Sequence, residues 1–279
     1  MPQFSPLSPA PIDVISIQSQ VIYGSVGNGI AYRTLLAKGL QALQVPTVLF
    51  GCPPYYGPPH GGVIPDDWFG GFLEDLLARG VAQQARAVIV GYLGNDSQCR
   101  LLDDWLRRVR ALNPQVLIVI DPVMGDYGEG VYVNQRLVDC YRSPFLQLAD
   151  GLTPNGFELE QISGTALTSR EQIVSAARAL LNDVTRWVLV TSAPDQQTAP
   201  QDISLLWVTA DEVKAISHRK IDANVKGTGD MFTALLVSRL LAGEPAENAV
   251  YQAIDEVCAA LTEAARYGWG EIGRLSTSA

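Results

Sequence analysis

Val225-Lys226-Gly227-Thr228-Gly229-Asp230 stands immediately before a long apolar run, Met231-Phe232-Thr233-Ala234-Leu235-Leu236-Val237-Ser238-Arg239-Leu240-Leu241. Two glycines let the backbone turn and approach a ligand without interference from a Cβ. The helix predicted for the apolar run leaves its first N–H groups without intrahelical partners and carries a partial positive charge at that end. Such a turn is suited to holding a phosphate. Asp230 adds a carboxylate at its mouth, and an anion hole beside a base is what phosphoryl transfer to an alcohol requires. A plainer role, in which Thr228 or Asp230 only caps the helix, stands beside this one.

Working outward, apolar runs alternate with helical patterns. Strands are predicted at Asp13–Ile17, Thr47–Phe50, Ala87–Gly91, Val116–Ile120, Ala149–Thr153 and Trp187–Thr191. Their continuous apolar character fits strands covered on both faces. Between them lie helices running from the Gly24–Gly29 loop through about Leu43, then around Asp67–Gly80, Gln98–Leu112, Gln135–Tyr141 and Ser169–Leu181. Ile203–Val208 and Val213–Ile216 read as an antiparallel hairpin at a sheet edge. Met231–Leu241 and about Ala246–Arg266 close the chain as helices. This alternation predicts an α/β fold with a mostly parallel sheet. The segment from Gly51 to Gly62 carries too many prolines and glycines for a helix or an interior strand, and a loop of that length is expected to serve a lid or a binding site.

Ligands of open parallel sheets sit beyond the carboxyl ends of the strands. Ser19, Thr47, Tyr92, Asp121, the Thr153–Glu158 segment, Thr191 and Asp230 all fall at such ends, which predicts one cleft. Asp121, Asp126 and Glu158 supply carboxylates able to hold a magnesium nucleotide with water and phosphate oxygens. Plainer roles are a turn start before proline for Asp121 and a first-turn helix acid for Glu158. The Gly24-Ser25-Val26-Gly27-Asn28-Gly29 loop has the wrong spacing for a dinucleotide fingerprint, and no acidic residue follows the second strand to hold a ribose. There is no P-loop motif and no nucleophile elbow.

The chain has 279 residues, is 47% hydrophobic and carries a formal net charge of −9. That suffices for one large α/β domain over residues 13–279, preceded by a loose, Pro-rich stretch at 1–12. With no basic cluster, nucleic acid is not an expected partner. Cys52, Cys99, Cys140 and Cys258 are scattered and only two histidines accompany them, so zinc is not expected and the cysteines read as free thiols in a reducing compartment. There is no secretory signal and no apolar run long enough for a membrane span, which leads to the expectation of a soluble, cytoplasmic protein.

Lys226-Gly227-Thr228-Gly229-Asp230 resembles the signature of the ribokinase-like superfamily. The segments 18–28 (Gln-Ser-Gln-Val-Ile-Tyr-Gly-Ser-Val-Gly-Asn), Gly91-Tyr92-Leu93-Gly94, Asp121-Pro122-Val123-Met124-Gly125-Asp126 and 153–160 (Thr-Pro-Asn-Gly-Phe-Glu-Leu-Glu) narrow the resemblance to the vitamin B6 kinases. It runs from about Asp13 to the final helix. It implies a three-layer α/β/α sandwich, usually a homodimer, that uses ATP with magnesium to phosphorylate the 5′-hydroxyl of pyridoxal, pyridoxine and pyridoxamine. A monovalent cation requirement stays open. By the same resemblance, Ser19, Thr47 and Tyr92 would contact or shape the pyridine pocket. Asp121 would serve the nucleotide, and Glu158 and Tyr132 the metal. Thr153, Thr191 and Ser217-His218-Arg219-Lys220 would line the ATP side. Asp230 would take the hydroxyl proton, and Gly227, Thr228 and Gly229 would supply anion-hole amides. After the second strand the chain departs from the family pattern, with Gly51-Cys52-Pro53-Pro54-Tyr55-Tyr56 placing Tyr55 where a histidine is usual. That substitution bears on vitamer preference. Alternatives are a kinase of another alcohol, such as hydroxymethylpyrimidine, and a non-catalytic pyridoxal phosphate-binding protein. Lys226 is expected to help neutralise phosphate, and an aldehyde product nearby could form a Schiff base with it.

Overall fold

A computed structural model describes residues 10–273. The expectation for a loose N-terminal stretch falls mostly on residues 1–9, outside the described residues. The elements run β1 (Val14–Val21), α1 (Asn28–Ala37), β2 (Ala42–Phe50), β3 (Gly61–Val63), α2 (Asp66–Ala78), α3 (Val81–Gln84), β4 (Ala87–Val90), α4 (Asp96–Leu112) and β5 (Leu117–Ile120). They continue with β6 (Gly125–Asp126), β7 (Gly130–Val131), α5 (Gln135–Tyr141), β8 (Gly151–Leu152), α6 (Gly156–Ser163), α7 (Arg170–Arg178), β9 (Trp187–Ala193), β10 (Asp202–Val208), β11 (Val213–Arg219), α8 (Thr228–Leu241) and α9 (Ala246–Tyr267).

Nine strands form one sheet in the order β11-β10-β9-β8-β5-β4-β1-β2-β3. The six central strands are parallel, while β3 and the β10–β11 hairpin pair antiparallel at the two edges. Period-2 alternation splits the strand residues between two cores. Ile15, Ile17, Val88, Val90, Ile118 and Ile120 join one hydrophobic cluster with residues of α2, α4, α5, α6 and α7. Val14, Ala87, Ile89, Val119 and Leu189 join the other with α1, α8 and α9. Helices therefore cover both faces, the three-layer α/β/α arrangement expected. Chain order reverses between β1 and β4, where open parallel sheets form a ligand crevice.

The helix expected to reach Leu43 ends at Ala37, and β2 begins at Ala42. Gly39 takes φ +77°, which stops the helix, and Ala42 then pairs with Val14. Pro46 lies inside this strand, ahead of the expected start at Thr47. It is accommodated beside a register shift between Gln18 and Gln20, where the regular ladder is interrupted. Within the 51–62 loop, Pro54–Tyr56 forms a single 3₁₀ turn and Gly61 enters the edge strand β3.

The cysteines also depart from expectation. Cys99 on α4 and Cys140 on α5 are joined by a disulfide, whereas Cys52 and Cys258 are free. Sequence separation hid this pair, because α4 and α5 pack side by side only in the folded chain.

Candidate active site

The sequence of β5 runs out at Ile120 into Asp121, and α8 starts opposite it at Thr228. Gly227 is the N-cap of α8 in the left-handed region, φ +87°, and a Cβ there would lie 2.5 Å from the Ser25 carbonyl oxygen. No side chain caps this helix, so its first N–H groups are free to meet an anion. Asp230 turns away from its own helix, and its Oδ2 accepts the Gly27 N–H at 2.8 Å. Gly27 in turn packs so tightly on β1 that a Cβ would sit 2.3 Å from the Ser19 carbonyl oxygen. A buried network locks that loop: Ser16 Oγ donates to Asn28 Oδ1 at 2.8 Å, and Asn28 Nδ2 donates to the Gln18 carbonyl at 3.1 Å.

Two cavities meet at Asp230, and Val123, Tyr132, Gly227 and Asp230 belong to the walls of both. The first, about 290 Å³, is lined by Asp121, Thr153, Asn155, Glu158, Thr191, His218, Thr228, Gly229 and Thr233, with an apolar end of Ile203, Leu205, Ile254, Val257 and Leu261. The second, about 670 Å³, is lined by Ser19, Val21, Val48, Phe50, Pro53, Tyr55, Tyr92, Asp126, Glu129 and Lys226.

The first cavity holds three carboxylates and neither lysine nor arginine. Burial first, then the charges of Glu158 and Asp230, push the Asp121 carboxyl well above its usual range, against bonds from the Thr233 and Thr153 hydroxyls. Burial likewise raises Glu158 to about 8 and raises Asp230. Tyr132 is raised by burial and by Glu158, Asp230 and Asp121. A polyphosphate entering this cavity meets neither lysine nor arginine, so its charge is unmatched unless a cation accompanies it. Among the described residues no group of three or more His, Cys, Asp or Glu side chains forms a metal cage. The carboxyl oxygens of Asp121 and Glu158 are of the type magnesium takes, with waters and substrate phosphates completing its shell.

The structure distributes the expected residues unevenly. Ser19, Tyr55, Tyr92 and Asp230 share the second cavity, and Asp121, Thr153, Thr191, Glu158 and the Gly227–Asp230 turn share the first. Thr47 is fully buried behind the wall and donates to the Tyr92 carbonyl at 2.7 Å, so it positions Tyr92 rather than lining the pocket. Of Ser217-His218-Arg219-Lys220 only His218 lines the first cavity. Strand alternation turns Ser217 and Arg219 to the other face, and Lys220 lines a separate surface depression. Glu158 spends both oxygens on backbone: Oε1 accepts Met124 N–H at 3.0 Å and Oε2 accepts Asn155 N–H at 2.8 Å. Asp126 parts from Asp121 and Glu158, accepting the Gly128 and Glu129 N–H groups at the edge of the second cavity. Lys226 lines the second cavity, and its Nζ is 2.5 Å from Glu129 Oε1, so its charge is already matched.

Thr233 and Ser192 went unnoticed in the sequence, and Asn155 was singled out only as part of the Thr153–Glu158 segment. Thr233 sits one turn after Asp230 on α8, 3.3 Å from Thr153 Oγ1, a neighbour that i,i+3 spacing could have revealed. Asn155 closes the α6 cap and donates to the Gly125 carbonyl. Ser192 is the only non-glycine with positive φ among the described residues and lies in the first cavity wall.

The family model described as phosphomethylpyrimidine kinase matches residues 73–274. A pyridoxine/pyridoxal/pyridoxamine kinase of Bordetella bronchiseptica is 45% identical over 266 residues, covering 95% of this chain and 94% of that protein. The chain belongs to the pyridoxine/pyridoxal/pyridoxamine kinase family. A Bordetella avium relative of the same name is 48% identical, covering 87% of this chain and 82% of its own length. Among solved structures, the Leishmania donovani pyridoxal kinase in complex with ADP and pyridoxine superposes with a TM-score of 0.84 at 27% identity, covering 95% of this chain and 90% of that one. Membership of this kinase family bears out the resemblance and the three-layer fold expected from the motifs.

Proposed function

We propose that the protein transfers the γ-phosphoryl group of ATP to the 5′-hydroxyl of pyridoxal, pyridoxine and pyridoxamine. The observation that carries this reading is the position of Asp230 where the two cavities join, beside an uncapped helix N-terminus. The polar first cavity takes the nucleotide, its apolar end the base. The aromatic second cavity takes the pyridine, between Tyr92 and Tyr55, with Ser19 available to a ring substituent.

Asp230 accepts the hydroxyl proton as the oxygen attacks, and the Gly27 N–H fixes the carboxylate. The Gly227–Gly229 amides and the α8 dipole hold charge on the group in transfer. Asp121 and Glu158 would hold a magnesium ion, the Glu158 carboxyl being oriented by the Met124 and Asn155 N–H groups. When bound, that ion neutralises phosphate charge that no basic side chain of the cavity matches. Chelation of magnesium is expected to abolish turnover.

The test is ATP-dependent formation of pyridoxal 5′-phosphate, followed by absorbance, in wild type and Asp230→Asn. Turnover in the first and collapse in the second, with ATP binding kept, supports both reaction and role. Hydroxymethylpyrimidine is the rival alcohol, and the family model is described as a kinase of a related compound, phosphomethylpyrimidine. Steady-state rates on both substrates separate the two. Residues 13–279 are proposed to act as one kinase domain, homodimeric and cytoplasmic as the resemblance implies. No helix among the described residues is long and apolar enough to cross a membrane. The Cys99–Cys140 disulfide runs against a reducing compartment, and alkylation with mass spectrometry of protein taken from cells decides its state.

A further inference from the structure

Glu271 lies outside every motif considered above, yet it is buried and its Oε1 accepts the Tyr55 hydroxyl proton. The bond ties the C-terminal segment to the loop after β2, over the second cavity. Neighbours hold it in place. A Cβ on Gly24 would come within 2.9 Å of both Glu271 Oε1 and Pro53 Cδ, and Tyr56 packs edge-on against Tyr55 with ring centroids 4.8 Å apart. With its one proton committed to the carboxylate, the Tyr55 oxygen offers a ligand only lone pairs. The cavity around it has the same sign: Asp126, Glu129 and Asp230 line it, and its one ammonium, Lys226, is paired with Glu129.

We propose that the Tyr55–Glu271 pair sets vitamer choice, favouring pyridoxamine, whose substituent is a cationic hydrogen-bond donor, over the aldehyde pyridoxal. This rests on the kinase reading above. An aliphatic amine is protonated near neutral pH and donates, whereas an aldehyde only accepts and would face the Tyr55 oxygen acceptor to acceptor. Pyridoxine, with a hydroxyl that donates once, ranks between them.

The experiment compares kcat/KM for pyridoxamine and pyridoxal in wild type, Glu271→Gln and Tyr55→Phe. Glu271→Gln keeps an acceptor for the tyrosine but removes the charge; Tyr55→Phe keeps the ring but removes the oxygen. In each, the pyridoxamine-to-pyridoxal ratio is expected to fall about tenfold, the scale of one charge-assisted hydrogen bond. An unchanged ratio, or equal losses for both vitamers, overturns the proposal and leaves the pair as a brace for the loop. If Glu271→Gln fails to fold by circular dichroism, Tyr55→Phe decides alone. If folded wild type phosphorylates neither vitamer, the kinase reading itself fails. Selectivity is then read as the ratio of vitamer Kd values by calorimetry, with the same two outcomes.

Discussion

Helices α6 and α8 both start at the cleft with an acidic residue in the first turn, and their N-termini are put to opposite uses. At α6, Asn155 accepts the Glu158 N–H at 2.8 Å while Glu158 reaches back to the Asn155 N–H, so two of the terminal donors are satisfied by the helix's own side chains. At α8, Gly227 occupies the cap position without a side chain, and Asp230 bonds to Gly27 on another element. One terminus is closed and structural, the other open toward a ligand. The difference lies in a single cap residue, asparagine or glycine. Acidic residues in equivalent helix positions are therefore not equivalent groups.

The largest effect expected from this contrast is on Asp230. Asp230→Asn should lower kcat by about 10²–10⁴-fold, the usual share of a general base, with ATP affinity by calorimetry retained. A mutant that keeps more than a tenth of wild-type kcat would break the contrast at its centre. Next is the open terminus itself. Gly227→Ala forces a Cβ against the Ser25 carbonyl at positive φ, and should cost about 10²–10³-fold in kcat, as loss of anion-hole geometry does. The closed terminus should respond in stability instead. Asn155→Ala is expected to cost about 1–2 kcal/mol in urea unfolding.

The pH dependence sharpens the same comparison. Glu158 holds its proton more tightly folded than unfolded, with its value raised from 4.5 to about 8, chiefly by burial. Between those values the native state binds more protons, so this contribution is fully present below about 4.5 and is lost as pH rises toward about 8. In metal-free buffer the unfolding midpoint should therefore decline across that window, and Glu158→Gln, which preserves the capping box, should flatten the decline. The smallest expected effect separates faces of one strand. His218→Ala should raise KM for ATP by about threefold, the size of one modest contact, while Ser217→Ala leaves it unchanged.

Much of the fold was legible because buried parallel strands are short continuous apolar runs and the surface helices are periodic. The β10–β11 hairpin followed from strand patterning alone. Boundaries near Pro46 were not legible, since proline's missing donor is tolerated at a ladder irregularity that only pairing with β1 creates. The division of the 217–220 segment between cavities was not legible for a comparable reason. Which strand face looks into a cavity depends on how β11 sits against β10, and only His218 of the four faces inward.

The sequence by itself determined the α/β class, the glycine turn with its adjacent carboxylate, and the set of polar residues at strand ends, because these depend on local periodicity and residue type. Tertiary structure alone decided that Asp230 bonds to Gly27, that Asp126 leaves the company of Asp121 and Glu158, that Cys99 meets Cys140, and that Glu271 reaches Tyr55. Those contacts join residues far apart in the chain, and their energies appear only once packing of the two helical layers on the sheet has brought the partners within hydrogen-bond or bonding distance.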